Sequence, residues 1–235
     1  MYEGICSEEQ IYIYVVKLPS ILSDENFRKL LFILNEEEKK TFFSYKVLFK
    51  KIEFMYGRVL IKKLLSDFLN IPIDKVILSK GDKGKLYLKD STNNIDFNLS
   101  HTKGMLICGI TKGGKIGVDI EKIDKEYYDI ISSVFSPCEV KYINGLKTID
   151  KNEGFYQLWT RKEAYLKCLG IGLNVDLTKI TVPYGQYTKV ADKFYYDTKK
   201  YKDFIISVVI EDINNKSIKY EFFESEKLDQ ALMKV

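Results

Sequence analysis

Two short segments about forty residues apart hold the side chains whose types and spacing can do chemistry. Ile116-Gly117-Val118-Asp119-Ile120-Glu121 reads as a strand. Alternate strand residues share a face, so Asp119 and Glu121 point the same way, roughly 7 Å apart along the backbone. Trp159-Thr160-Arg161-Lys162-Glu163-Ala164-Tyr165-Leu166-Lys167 reads as a helix, with Trp159, Glu163 and Lys167 at i, i+4 and i+8 on one face. If strand and helix meet, three carboxylates converge beside an ammonium. Like charges so placed repel unless a cation sits among them. All-oxygen anionic ligands suit a hard ion such as Mg²⁺, which shares its shell with waters and substrate phosphates. Glu163 and Lys167 are equally an ordinary surface pair, and Asp119 and Glu121 an ordinary solvated strand face.

The elements that must position these groups follow from periodicity and punctuation. Ile11 to Leu18 is β-rich. Ser23 or Asp24 caps a helix to about Leu34, and Asn35 with Glu38 forms a capping box for a longer helix running to about Leu69, before Pro72. Gly81-Asp82-Lys83-Gly84 is a turn between short strands. Strands are expected at Asp96–Leu99, Met105–Thr111 and Ile116–Ile123. The second half echoes this order, with helices near Tyr127–Val134, Pro137–Leu146 and Glu153–Leu169. Strands are then expected at Leu177–Val182, Lys193–Asp197, Phe204–Glu211 and Ile218–Phe223. The expected class is α+β, with two similar halves, 1–113 and 114–235, joined near Lys112-Gly113-Gly114.

Composition narrows the class. The chain has 235 residues, 46% of them hydrophobic and 30% charged, with a net charge of +4. That charge fits anionic ligands but is too small to argue for nucleic acid. Four widely spaced cysteines, no CxxC and a single histidine, His101, disfavour a zinc site or a disulfide framework. Reduced thiols, no apolar signal core and no membrane-length apolar run lead to an expected cytoplasmic protein.

Four further groups of residues invite a functional reading. Ser136-Pro137-Cys138-Glu139 is a capping box with Pro at N1, which favours a structural Glu139 over a catalytic one. Asn98-Leu99-Ser100-His101-Thr102 ends a strand, where Ser100 and His101 can meet phosphate. Lys80, Lys83 and Lys85 surround glycines, and Lys46, Lys50 and Lys51 lie on the long helix. Either cluster is a phosphate site or a solvated face. No Walker A or G-x-G-x-x-G sequence is present.

Taken in order, Asn-Leu-Ser-His-Thr (98–102), Ile-Gly-Val-Asp-Ile-Glu (116–121), Phe-Ser-Pro-Cys-Glu (135–139) and Trp-Thr-Arg-Lys-Glu-Ala-Tyr-Leu-Lys (159–167) resemble the 4′-phosphopantetheinyl transferase superfamily, in its long surfactin-synthetase-activating branch. The resemblance implies a pseudo-twofold α+β fold with the active site between the halves. It implies coenzyme A as donor, Mg²⁺ as cofactor, and a serine of an apo acyl or peptidyl carrier protein as acceptor, with adenosine 3′,5′-bisphosphate released. By motif position, Asp119, Glu121 and Glu163 hold the ion. Lys167 meets the pyrophosphate, and Ser100 and His101 meet coenzyme A phosphates. Lys85 follows Gly84 in a nucleotide-binding turn, where Leu86 replaces the usual proline. Lys162 is a further coenzyme A candidate. Glu53 falls where relatives often carry an arginine, so Lys50, Lys51 or Arg58 is expected to substitute. Glu163 is the expected base, with Glu139 as rival. A monomer is expected, and the segment between Ile123 and Val134, with Lys125, Tyr127 and Tyr128, is the expected carrier contact.

Overall fold

A computed structural model describes residues 10–89, 94–124, 128–185, 188–213 and 216–224. In chain order the elements are β1 (Gln10–Lys17), α1 (Asp24–Ile33), α2 (Glu36–Ser44), α3 (Leu48–Leu69), β2 (Leu78–Lys80), β3 (Leu86–Leu88), β4 (Ile95–Thr102), β5 (Met105–Lys112), β6 (Ile116–Lys122), α4 (Ile131–Val134), α5 (Pro137–Gly145), α6 (Thr148–Leu169), β7 (Thr188–Ala191), β8 (Phe194–Tyr201), β9 (Phe204–Glu211) and β10 (Ser217–Phe223). The class is α+β. Among the described residues, no helix is long and apolar enough to cross a membrane.

Strand alternation sorts the chain into four layers. One sheet has the order β10-β1-β5-β4, and the other β6-β9-β8-β7. On β1, Tyr12, Tyr14 and Val16 face a core shared with α1, α2 and α3, while Ile11, Ile13 and Val15 face the second sheet. On β6, Ile116, Val118 and Ile120 join that middle core. The period of two therefore turns Gly117, Asp119 and Glu121 toward the opposite side, where α6 lies. The helix α6 buries Phe155, Tyr156, Leu158, Ala164 and Cys168 with Phe194, Tyr196, Ile205 and Val209. The order is thus helices, sheet, sheet, helices, with apolar contacts filling all three gaps. Strand β10 lies in the second half by sequence but pairs in parallel with β1 of the first sheet.

Several elements differ from the sequence expectation. The single long helix to Leu69 is two helices, because Tyr45 leaves helical geometry as the C-cap of α2 and α3 begins anew at Leu48. The capping box of Asn35 and Glu38 is present. Leu177–Val182 contains a 3₁₀ turn, Leu177–Lys179, instead of a strand, with Asp176 capping it through Thr178. Helix α6 starts earlier than expected, at Thr148. The contact candidates Lys125 and Tyr127 lie outside the described residues, and the side chain of Tyr128 does as well.

Gly117 sets how closely strand and helix approach. A Cβ there would collide with the carbonyl oxygen of Ala164 and the backbone of Cys168. The obstacle is backbone, which cannot turn aside as a side chain can. Gly117→Ala is therefore expected to destabilise the protein by at least ~1–3 kcal/mol, through displacement of α6. Urea unfolding of the purified variant checks this, and an unchanged midpoint would refute the close-approach role.

Candidate active site

Strands β4 and β6 are edges of different sheets and lie side by side. An edge presents unpaired backbone groups, and a buried N–H must find a partner. Here the polar side chains of β4 provide it, every second residue. Asp96 Oδ2 accepts from the Ile116 amide at 2.8 Å, and Asn98 Oδ1 from the Val118 amide at 3.0 Å. One step further along, the same face meets side chains instead of backbone. Ser100 Oγ donates to Asp119 Oδ1 at 2.7 Å, and Thr102 Oγ1 donates to Glu121 Oε2 at 3.0 Å.

Helix α6 brings the third carboxylate and the ammonium. Lys167 Nζ donates to Asp119 Oδ1 at 2.6 Å and to Ser100 Oγ at 2.9 Å, and stands 4.0 Å from Glu163 Oε2. Burial drives the Glu163 carboxyl up to about 7; Lys167 opposes the rise, and Asp119 and Glu121 add to it. Glu121 is also raised, by burial and then by Asp119. The strand and the helix read from sequence therefore do meet, and Asp119, Glu121, Glu163, Lys167 and Ser100 form one cluster.

The donor set fits a hard divalent cation. Asp119 Oδ2 is buried and accepts no hydrogen bond, an open acceptor among mutually repelling carboxylates. Among the described residues, no three Asp, Glu, His or Cys side chains already stand as a ligand cage. The Lys167 ammonium supplies the positive charge at Asp119.

The cluster borders a cleft of about 570 Å³, lined among others by Glu163, Lys167, His101, Glu53, Gly84 and Lys83. His101 Nδ1 lies 3.1 Å from Glu53 Oε2, and burial pushes the imidazole below its ordinary value. Lys50 Nζ donates to the same Glu53 oxygen at 2.9 Å. Arg58 lines the cleft but sets its guanidinium over the Phe54 ring, with Nε 3.8 Å from Glu38. Lys85 also lines the cleft, yet its Nζ donates to Asp96 at 2.7 Å and to the carbonyls of Ile116 and Cys168. It ties the glycine turn to the β4–β6 junction.

Two candidates are corrected. Lys162 and Glu139 do not reach the cleft. They are 1% and 0% exposed and pair with each other at 2.8 Å. Lys162 Nζ also donates to the carbonyls of Val134, Leu177 and Ile180. Glu139 closes its capping box with the Ser136 amide and accepts from the Val182 amide. Fully buried and with both oxygens engaged, Glu139 has no geometry for taking a substrate proton. Lys162 precedes Glu163 in sequence, but a one-residue step rotates a helix side chain by about 100°. Asp96, Asn98 and Thr102 were absent from the sequence candidates. Their signal is the polar residue at every second position of Asp96-Phe97-Asn98-Leu99-Ser100-His101-Thr102.

Comparison with known proteins identifies the family. A model described as "4'-phosphopantetheinyl transferase superfamily" matches residues 115–209, and one described as "4'-phosphopantetheinyl transferase, N-terminal" matches residues 22–110. The chain belongs to the 4′-phosphopantetheinyl transferase superfamily. A relative from Aneurinibacillus migulanus, 4'-phosphopantetheinyl transferase gsp, is 27% identical over 76% of this chain and 73% of its own length. L-aminoadipate-semialdehyde dehydrogenase-phosphopantetheinyl transferase of Xenopus laevis is 29% identical over 63% of this chain, and the match spans about half, 53%, of that relative. Among solved structures, the holo-[acyl-carrier-protein] synthase of Thermotoga maritima matches 41% of this chain and 62% of its own, at 17% identity and a TM-score of 0.33.

Two outcomes are expected. Glu139→Gln leaves the Lys162 ammonium buried without its counter-charge and costs roughly 3–5 kcal/mol, read by urea unfolding. A loss below 1 kcal/mol would refute the structural assignment. For Glu163, a raised carboxyl means the unfolded chain releases its proton first as pH rises. Stability falls between about pH 4.5 and 7 and levels off above. Glu163→Gln should flatten that part of the stability profile in chelator. Profiles that stay parallel would contradict it.

Proposed function

We propose that the protein transfers the 4′-phosphopantetheine group of coenzyme A to a serine hydroxyl of an apo acyl or peptidyl carrier protein, with adenosine 3′,5′-bisphosphate as the other product. The observation that carries the reading is the group of Asp119, Lys167 and Ser100 beside Glu163, of which Lys167 and Glu163 line the cleft. Phosphoryl transfer asks a protein for positioning and charge stabilisation more than for covalent chemistry.

In this reading Asp119, Glu121 and Glu163 hold Mg²⁺, with Asp119 Oδ2 as its open acceptor. When bound, the ion stabilises charge on the pyrophosphate. Ser100 and Lys167 orient the phosphate groups through the hydroxyl and ammonium that now bond Asp119. The serine oxygen of the carrier forms a bond to the phosphorus bearing pantetheine, and the bridging oxygen leaves with the nucleotide. Lys167 stabilises the charge on that leaving phosphate. Glu163 takes the serine proton directly or through water. A net charge of +4 suits an acidic carrier surface. The protein is further proposed to act as a cytoplasmic monomer of two halves, 1–113 and 114–235, since the two supply one complete cluster.

Intact-protein mass spectrometry of a panel of apo carriers with coenzyme A tests the reading. Wild type is expected to add one phosphopantetheine when Mg²⁺ is present and none after chelation. Glu163→Gln and Asp119→Ala are expected to lower the rate by ~100-fold or more. Coenzyme A binding without transfer to any carrier would argue for a non-catalytic module. Release of phosphopantetheine to water would argue for a hydrolase.

A further inference from the structure

A second hollow, chemically unlike the cleft, lies beside the carboxylate row. This groove has a volume of about 510 Å³, and its floor is apolar, made of the buried Leu18, Ile52 and Met105. Phe49 and Phe204 add two rings, and the ring of Phe49 is exposed. Three exposed lysines stand at the rim, Lys17, Lys103 and Lys202.

The chain itself fixes where the groove lies. His101 lines the cleft, Thr102 bonds Glu121 at 3.0 Å, and Lys103 lines the groove. Each of these steps is about 3.8 Å along the backbone. Glu53 is part of the wall of both hollows. Cleft and groove therefore meet near the Glu121 end of the row. With the donor in the cleft, the groove lies where an acceptor must arrive. Its rim also continues into the segment that begins at Ile123. The Ile123 amide donates to the Asp203 carbonyl at 2.7 Å, and Lys103 pairs with Asp124.

The surface around the groove is basic and apolar. The chain beside Phe49 also exposes Phe43, Val47 and Leu48. From Lys39 to Lys51 it carries five lysines and no acidic residue. At the rim, Lys17 and Lys202 share one carboxylate, Glu224, at 3.3 and 3.7 Å. Such exposed pairs are weak, so a partner's carboxylates can replace Glu224. An apolar floor ringed by ammonium groups fits a protein surface that presents an apolar side chain among carboxylates. An anionic lipid surface would match the charge, but it has no need of a hollow beside Glu121.

We propose that this groove docks the acidic apo carrier protein. The carrier seats an apolar side chain on Leu18, Ile52 and Met105, against the ring of Phe49, and sets its carboxylates against Lys17, Lys103 and Lys202. The inference rests on the transferase reading of the cleft and adds no step to the reaction.

The test uses the full chain with an apo carrier that the wild type loads. Phe49→Glu and Lys17→Glu are each expected to raise the KM for the carrier about tenfold, with kcat and the KM for coenzyme A unchanged. Phe32→Glu, at an exposed ring outside the groove, is expected to change neither KM. An unchanged carrier KM in both groove variants overturns the proposal, as does an equal rise in Phe32→Glu. A rise in the KM for coenzyme A instead assigns the groove to the donor and also overturns it. Methyl NMR of the wild type needs no variant to fold. The Met105 methyl signal is expected to shift on adding apo carrier and to stay in place with coenzyme A alone. Carrier binding that leaves Met105 unmoved overturns the proposal. Sedimentation with phosphatidylserine vesicles is the last arm. Vesicle binding that Phe49→Glu abolishes, with carrier KM unchanged, assigns the surface to a membrane instead. If no carrier in the panel is loaded, the transferase reading fails, and the Met105 signal with the same carriers still decides the groove. If none binds, both readings fall.

Discussion

The structure depends on how two sheet edges are closed where no backbone ladder joins them. Strands β4 and β6 belong to different sheets, and each would leave buried amides without acceptors. Asp96 and Asn98 supply those acceptors, at the Ile116 and Val118 amides. The same row of alternate residues continues as Ser100 and Thr102, which meet the carboxylates of Asp119 and Glu121. One β-strand face therefore both joins the two sheets and aims the polar cluster. The cleft lies along this junction because the two roles share a single period-two pattern.

Helix α6 completes the arrangement by close packing. Gly117 lets the Ala164–Cys168 backbone sit against β6, which brings Glu163 and Lys167 to the strand carboxylates. Burial first, and the neighbouring carboxylates after it, raise the proton affinity of Glu163 and Glu121. Lys167 offsets part of this rise while binding Asp119. The neighbouring pair of Lys162 and Glu139 shows the opposite solution. Every polar atom of Lys162 and both Glu139 oxygens are engaged, and the pair fastens α6 to α5 and the 177–180 turn.

The legible part of the site was the part governed by local periodicity. Strand alternation placed Asp119 and Glu121 together, and the i,i+4 spacing placed Glu163 with Lys167. The capping box of Ser136 and Glu139 was likewise readable, since it depends on neighbours three residues apart. The fate of Lys162 was not readable, because its partners come from residues 134, 139, 177 and 180. The break between α2 and α3 was missed for a related reason. Apolar spacing continues through it, and the ring of Tyr45 is committed to Phe54 of the next helix.

By itself the sequence determined the alternating face of β6, the i, i+4, i+8 face of α6, the caps, and the membership in a family whose motifs stand in order along the chain. Those properties arise from interactions within a few residues, which sequence spacing encodes directly. Tertiary structure alone decided which cations face the cleft and which are spent elsewhere. Lys85 closes the junction, Lys162 is interior, Lys50 is held by Glu53, and Lys167 stands among the carboxylates. A lysine looks the same in any sequence. Its role depends on which acceptors the folded chain brings within about 3 Å of its nitrogen.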